Sequence, residues 1–447
     1  MAVSPARAAA FDVLLRIEQE SSYATDLLHS AQFNLLSSQD HGLATELVMG
    51  VLRWRSLLDS QIAAASNLAL QKIDIEVLSA LRMAAYQLLF LDRVPGRAAV
   101  NESVELVKRS HKRSAIPFAN AVLRKLSLRL PEFKTDFQSV RAETVLQQAD
   151  HWSHPLWLVE RWSHEYGLAV SNDICEYDQK IPETSIHISG ENAEKQLKEH
   201  GIELAPGKLL ASARRVISGD VTRTAPFLEG AVSIQDEASQ LVGLLAGHAS
   251  MILDCCAAPG GKTRILAEQN PQGRILAVDL HPHRARLLRK LVPAKNVSVI
   301  ASDTRHLATN GLFELVVVDA PCSGTGTLAR NPEIKWKLRN EDIADLAARQ
   351  SAILRSAMDR VAPGGRLVYA TCSLEREENS DVVEKALESD NAFCALDCLD
   401  ILRRLRAGGT LALETEVDLL TAGNYLRILP GMLPCDGFFA AVLQKRN

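Results

Sequence analysis

The sequence is poor in cysteine: eight among 447 residues, irregularly spaced, with no C-x-x-C pair. That excludes a disulfide scaffold and argues against a zinc ribbon. Cys394 and Cys398 stand four apart, but no second pair completes a tetrahedral set, so structural thiols and no metal are expected. Apolar runs of about 18 residues are missing too, which excludes a helical membrane span. The opening stretch MAVSPARAAAFDVLL lacks a basic start, an apolar run and a cleavage site. Neither sign of charge dominates, with 50 Lys and Arg against 54 Asp and Glu and a formal net charge of −4. A nucleic-acid partner would therefore have to meet a local patch. Internal repeats and low-complexity tracts are absent. What is present, 47% hydrophobic and 23% charged residues, is ordinary for a globular chain long enough for several domains. The expectation is a reduced, cytoplasmic protein with a large core.

Residues 1–145 are expected to form an all-helical domain. Ser4-Pro5 reads as an N-cap followed by a first-turn proline. Ala10, Val13, Leu14 and Ile17 then share one helical face, and Val100, Val104 and Val107 form another stripe. The segment MAAYQLLFL, 83–91, is apolar nearly all round, as in the central helix of a bundle. Across 108–129 there are seven Lys or Arg and no acid. Such a run is either a solvated helical surface or a phosphate-contacting face. The absence of acids weights the second reading, because a merely solvated helix usually mixes signs.

Residues 146–235 are expected to be a small α+β, RRM-like subdomain. Trp152, Trp157 and Trp162 crowd its start, and the β-like runs TSIHIS, GIELAP and RRVISG follow. From 236 to 447 the pattern becomes strand, Gly-rich turn and helix. Strands are expected at 251–255, 274–279, 297–300, 314–319 and 366–371, and a helix at 341–361. The alternation implies an α/β fold, a Rossmann-like parallel sheet covered on both faces.

The motif LDCCAAPGGKT, 253–263, is a strand, a Gly-rich turn and a helix start. It is not a phosphate loop, which requires glycine where Cys256 stands, and G-x-G-x-x-G is absent. What remains is a tight Pro259-Gly260-Gly261 turn at the ligand-binding edge of a first strand. Small residues there let backbone N–H groups approach a ligand. Asp279 ends the second strand, placed for ribose hydroxyls, and Asp303 follows the third, placed for an exocyclic amine. Each acid, including Asp254, could simply cap a helix. Three acids at three successive strand tips without a phosphate cradle instead suit S-adenosylmethionine, a sulfonium nucleoside.

The fourth strand ends in DAPCSGTG, 319–326, and a further one in YATCS, 369–373. A thiol where amine methyltransferases carry an aromatic ring argues against a planar amine as target. A ring carbon explains the thiols. C5 of cytosine is a poor nucleophile, and a thiolate adding at C6 turns it into an enamine carbon. The thiol must be deprotonated, a carboxyl group must bond N3 and N4, and a base must remove the C5 proton. Asp319, Cys322 and Cys372 are candidates for these roles. Strand-tip position does not decide which cysteine attacks, and each could be a buried packing residue.

The motifs LDCCAAPGGKT, VVVDAPCSGTGTLARNPEIKW, YATCSLEREENSDVV and RILPGMLPCDGFFAAVLQK together resemble those of RNA cytosine-5 methyltransferases over roughly 225–447. The resemblance implies Cys372 as the nucleophile and Cys322 as the residue that assists release of product. It also implies cofactor contacts from Cys256, Ala257, Ala258, Pro259, Gly260, Gly261, Lys262, Asp279, Asp303 and Asp319. The segments AVNESVELVKR and FANAVLRKL resemble a NusB-type RNA-binding domain. The joint architecture is similar to the bacterial Sun/Fmu (RsmB) family, whose members modify cytosine 967 of small-subunit (16S) ribosomal RNA.

RNA is thus the expected partner, as unassembled rRNA or an early small subunit, met by a monomer. Neither DNA nor a membrane is expected. Arg284, Arg286, Arg289, Lys290 and Lys295, and then Arg330, Lys335, Lys337 and Arg339, are read as further lining of a phosphate channel. A flipped cytosine in a single-stranded loop is the expected target. The alternatives are the same chemistry on transfer RNA or another ribosomal site, and a non-enzymatic RNA-binding assembly factor.

Overall fold

The computed structural model describes residues 3–20, 22–30, 33–139, 142–190, 192–307, 311–412, 414 and 416–447. The chain divides into two compact units, Met1–Lys180 with Leu328–Lys337, and Ile181–Thr327 with Leu338–Asn447.

The first unit is helical. Pro5 starts the helix Pro5–Gln19, whose Ala10, Phe11, Leu14 and Ile17 are buried. Helix Ile75–Phe90 is buried nearly all round, which fits its apolar sequence and a central place in the bundle. Its one guanidinium, Arg82, is bonded by Asp59 at 2.6 and 2.7 Å and by Glu18 at 2.9 Å. A buried charge needs such partners. Helices Val145–His151, Leu156–Tyr166 and Leu168–Asp178 belong to this unit, with Trp162 fully buried. The strand-bearing subdomain therefore does not begin at 146. Of the tryptophans that mark its expected start, Trp152 packs against the helical core and Trp162 is buried in the helical unit.

That subdomain comprises β1 (Thr184–Ile188), β2 (Glu203–Pro206), β3 (Arg214–Ser218) and β4 (Val232–Ile234) in the order β2-β3-β1-β4. All pairs are antiparallel, and helix Ala193–Glu199 links β1 to β2. This is the split βαβ order of RRM-like domains. Ile186, Leu197, Ile202 and Val232 form its core. Glu237, at the start of helix Glu237–Leu245, accepts from the backbone N–H groups of Lys208, Leu209 and Leu210 at 2.8–3.0 Å.

The remaining strands are β5 (Met251–Asp254), β6 (Arg274–Asp279), β7 (Val297–Ala301), β8 (Phe313–Asp319), β9 (Val361–Thr371), β10 (Phe393–Leu396), β11 (Thr421–Ala422), β12 (Tyr425–Ile428) and β13 (Phe438–Lys445). They form one sheet in the order β11-β12-β13-β9-β8-β5-β6-β7, with β10 beside β13. Strands β5 to β9 pair in parallel, and Leu253, Val316, Val318, Leu367 and Tyr369 are fully buried in one core layer. The far side departs from the all-parallel expectation. β13 runs antiparallel to β9 and pairs with β10 and β12 in the same sense, so the sheet is mixed. The eight-residue run FFAAVLQK is buried through its first six positions. It reads as an inner strand, but its sequence carries no sign of direction.

Candidate active site

The parallel strands end at one edge, and the chain places chemistry at each tip. After β5 the peptide Ala258-Pro259 is cis and Gly260 takes φ 119°. A Cβ on Gly260 would stand 2.6 Å from Leu288 and from Val292, and one on Gly261 would stand 2.8 Å from Gln235. At Gly260 glycine alone fits both the angle and the space, whereas at Gly261 the end of the Gln235 side chain is what a Cβ would displace. Ala257 and Ala258 are buried beneath the turn, and the helix Gly261–Gln269 leaves from it.

Asp254 is 1% exposed and accepts a 2.7 Å hydrogen bond from the Thr263 hydroxyl. Its other oxygen has no partner among the described residues. Burial, with the nearby charges of Asp319 and Asp279 adding, pushes its carboxyl up to about 7, against the opposing pull of Thr263. Burial likewise pushes the Cys256 thiol above its ordinary range. Asp279 accepts from the His281 N–H at 3.0 Å and lies 3.6 Å from Arg284. Asp303 caps the short turn Thr304–His306 and is forked by Arg305 at 2.6–3.1 Å. That fork holds its carboxyl down at about 2. Asp279 and Asp303 thus do bind local backbone, as simple caps would, and each keeps the strand-tip position expected of it.

A cavity of about 340 Å³ opens beside the turn. Gln235, Ser239, Asp254, Cys256, Gly260, Lys262 and Asp319 are among its lining. Asp279 and Asp303 lie outside that lining. S-adenosylmethionine fits these residues. The glycine turn leaves room a Cβ would fill, the buried Asp254 oxygen awaits a donor, and carboxylates stand where a cation and hydroxyls need acceptors.

Lys262 is assigned by position to the turn, yet its side chain faces the reacting end. Nζ lies 2.8 Å from Asp319, 3.0 Å from Ser239 and 5.0 Å from the Phe438 ring centroid. At 8% exposure, the ammonium fixes the Asp319 carboxylate through a charge-assisted bond.

The two thiol segments meet. Cys322 Sγ and Cys372 Sγ are 3.4 Å apart, although 50 residues separate them in sequence. The loop after β8 turns at Gly324, φ 74°, and Gly326 then crosses the chain after β9. Its N–H donates to the Cys372 carbonyl at 2.9 Å, and its carbonyl accepts from Gly437 at 2.7 Å. A Cβ there would stand 2.4 Å from the Gly437 oxygen and 2.9 Å from the Cys372 oxygen, so only glycine fits. Cys322 is held well above the ordinary thiol range, first by its shared hydrogen bond with Cys372, then by burial.

Several side chains at this end escape sequence reasoning. Glu378 is fully buried and accepts from the Ser323 N–H at 2.9 Å, Gln350 Nε2 at 2.8 Å and Ser373 Oγ at 2.5 Å. Asn379 Nδ2 donates to the Ser373 carbonyl at 2.9 Å, and Leu374 N–H donates to Thr325 Oγ1 at 2.9 Å. The stretch EREENS is almost wholly charged or amidic, and nothing in that spelling shows that Glu375 and Glu378 are buried while Glu377 is only half-buried. The turn Arg376–Glu378 does so.

The basic residues need correction. Lys108, Arg109 and Lys112 pair with Glu105, Asp12 and Asp74 at 2.7, 2.9 and 3.0 Å, so the fold supplies acids that the run itself lacks. Among the described residues no acidic partner meets Arg113 or Arg124. The cluster after the reactive loop is not an open channel lining. Lys335 is 1% exposed in the first unit, where burial pushes its ammonium down to about 7. Lys337 bonds the Ser22 carbonyl, and Arg339 pairs with Asp342 at 3.0 Å. In the other cluster Arg289 bonds the Val299 carbonyl at 2.8 Å and Arg284 that of Ala258 at 2.8 Å.

Comparison with known proteins places this geometry. The model of the 16S rRNA methyltransferase RsmB/F family matches residues 243–444, and that of the NusB family matches 4–128. The probable ribosomal RNA small subunit methyltransferase B of Bacillus subtilis is 34% identical, covering 98% of each chain. The ribosomal RNA small subunit methyltransferase B of Vibrio cholerae is 32% identical, covering 99% of this chain and 98% of its own. The crystal structure of PH0851 superposes with a TM-score of 0.78 at 22% identity, over 99% of this chain and 100% of that one, a likeness of fold. A methyltransferase homologue from Pyrococcus horikoshii superposes over 68% of this chain and 100% of its own, with a TM-score of 0.55 at 25% identity.

Proposed function

The chain belongs to the RsmB family of 16S rRNA methyltransferases, and from that premise we propose that it methylates C5 of a cytosine in small-subunit ribosomal RNA. The proposed target is cytosine 967, and the proposed route is a covalent adduct between Cys372 and C6. S-adenosylmethionine is the cofactor, and when bound it supplies an electrophilic methyl group on a sulfonium. The 256–261 turn, the backbone of Lys262, Asp279 and Asp303 are proposed to hold it, with Asp254 beneath them.

The chain's own groups do the rest. The Cys372 thiolate adds to C6, and the electron pair of the C5–C6 double bond shifts so that C5 becomes a carbon nucleophile. Asp319 accepts from the N4 amino group and from N3–H, the protonated form that takes up the charge developing on the ring, and Lys262 holds that carboxylate in place. Once C5 carries its methyl group, a base takes the C5 proton. The freed pair restores the double bond, and the C6–S bond breaks to return the thiolate. Cys322, beside the leaving sulfur, assists this release. The cytosine has to leave its stack to be reached on both faces, which favours rRNA that is unassembled or in an early small subunit. A monomer suffices, since one chain carries every group named.

The observation that carries the reading is the approach of two strand-tip sulfurs to 3.4 Å, with a carboxylate held by Lys262 at the tip of β8 beside them. The test is to incubate purified protein and S-adenosylmethionine with 16S rRNA, and with transfer RNA in a parallel arm. 5-Methylcytosine is then mapped by bisulfite sequencing. The expected product is a single modified position, 967, in the 16S arm. Modification of transfer RNA alone, or of no RNA, contradicts the reading.

A further inference from the structure

Both thiol loops are tied to one buried acid that no step of the proposed reaction uses. Glu378 Oε1 accepts from the N–H of Ser323, the neighbour of Cys322, and Oε2 accepts from the hydroxyl of Ser373, the neighbour of Cys372. Gln350, itself fully buried, donates to Glu378 at 2.8 Å and to the Pro321 carbonyl at 3.0 Å, bracing the first loop from its other side. The two serine hydroxyls are 2.9 Å apart, and the Tyr369 hydroxyl holds the Glu378 carbonyl at 2.6 Å. Among the described residues every hydrogen bond to the carboxylate comes from a neutral donor. A buried carboxylate of that kind is costly unless each oxygen is satisfied. A neutral amide would offer a single acceptor oxygen and so could not hold both loops at once.

We propose that Glu378 is a positioning residue for the reaction: its two oxygens hold the Cys322 and Cys372 loops at their observed spacing. The proposal rests on the reading of the thiol pair as the reacting groups. Protonation of Cys322 leaves Cys372 as the one sulfur free to act as nucleophile, so the two cysteines cannot exchange roles. The titratable groups around Cys322 are Cys372, Glu378 and Tyr369, and Glu378 adds to the upward pressure that Cys372 and burial exert on it.

The test uses the full chain and needs neither RNA nor cofactor for its first arm. Alkylation of Cys322 by iodoacetamide is followed against pH by mass spectrometry in the wild type, Glu378→Gln and Glu378→Asp. Glu378→Gln removes the charge, so the midpoint for Cys322 is expected to fall. Glu378→Asp keeps the charge and loses reach, so the midpoint is expected to stay while kcat falls by about 10²-fold at an unchanged KM for RNA. An unmoved midpoint in Glu378→Gln, or full kcat in Glu378→Asp, overturns the proposal. If Glu378→Gln does not fold, Glu378→Asp decides through kcat alone. A wild-type protein without methylation activity would sink the proposed function, while the alkylation arm would still judge Glu378.

Discussion

At the tips of β5, β6 and β7 each carboxylate finds its partner close by in sequence: Thr263 is nine residues from Asp254, and His281 and Arg305 are two from Asp279 and Asp303. At the tips of β8 and β9 the partners are remote. Lys262 is 57 residues from Asp319, Glu378 is 55 from Ser323, and Cys372 is 50 from Cys322. The proposed cofactor end is therefore a series of nearly independent local motifs on a rigid sheet. The proposed reacting end exists only once β8, β9 and the helix Asp342–Met358 are assembled. Damage should stay local at the first end and spread at the second.

Two glycines give the sharpest contrast. In Gly326→Ala the new Cβ meets backbone oxygens at 2.4 and 2.9 Å, which cannot move aside. We expect a loss of about 1–3 kcal/mol in urea unfolding, and a fall in methylation of about 10²-fold from misplaced thiols. In Gly261→Ala the Cβ meets only the Gln235 side-chain end, so cofactor affinity should fall with little change in stability. Equal destabilisation by the two variants would break the comparison.

Lys262→Met is next in size. It deletes the cation from Asp319 and keeps the chain length. Turnover should fall by about 10²-fold, the scale for removing one positioned charge, while calorimetric S-adenosylmethionine affinity changes little. The opposite split would return Lys262 to the cofactor.

Asp254 sharpens the other end. Its carboxyl is raised from 3.8 to about 7 in the fold, so the folded state holds a proton that the unfolded chain releases. The stability this confers is complete below pH 3.8 and is lost as pH rises through about 7. Thermal melting of the cofactor-free wild type should therefore fall relative to Asp254→Asn between those pH values. A constant gap would show that the buried oxygen is already satisfied.

The smallest effect lies in the helical unit. Neutralising Arg113 and Arg124 should weaken RNA binding and reduce the slope of log K against log[salt] by about one for each phosphate left unneutralised. Neutralising the paired Lys108, Arg109 and Lys112 should do less. The reverse ranking would show that RNA displaces those acids.

The same contrast explains what the sequence made legible. The tips at Asp254, Asp279 and Asp319, and the strand 274–279 as observed, could be read because alternation, turn residues and acids lie within a few positions of one another. That Cys322 and Cys372 share one sheet edge was legible from their strand tips, while their separate roles were implied only by resemblance to a family. Glu378 was invisible, because its partners come from three separate segments. The acids opposite Arg109 and Lys112, and the burial of Lys335, were hidden for the same reason: charge in a run says nothing of what the fold brings to face it. Strand direction at β13 depends on where the preceding loop places it, and its composition does not record that.

The central claim is that Cys372 begins the reaction and Cys322 ends it. The most direct measurement is denaturing electrophoresis of labelled RNA after incubation with S-adenosylmethionine and Cys322→Ala or Cys372→Ala. The account predicts a stable RNA–protein adduct with Cys322→Ala, and neither adduct nor turnover with Cys372→Ala. An adduct that persists in Cys372→Ala and vanishes in Cys322→Ala would contradict it.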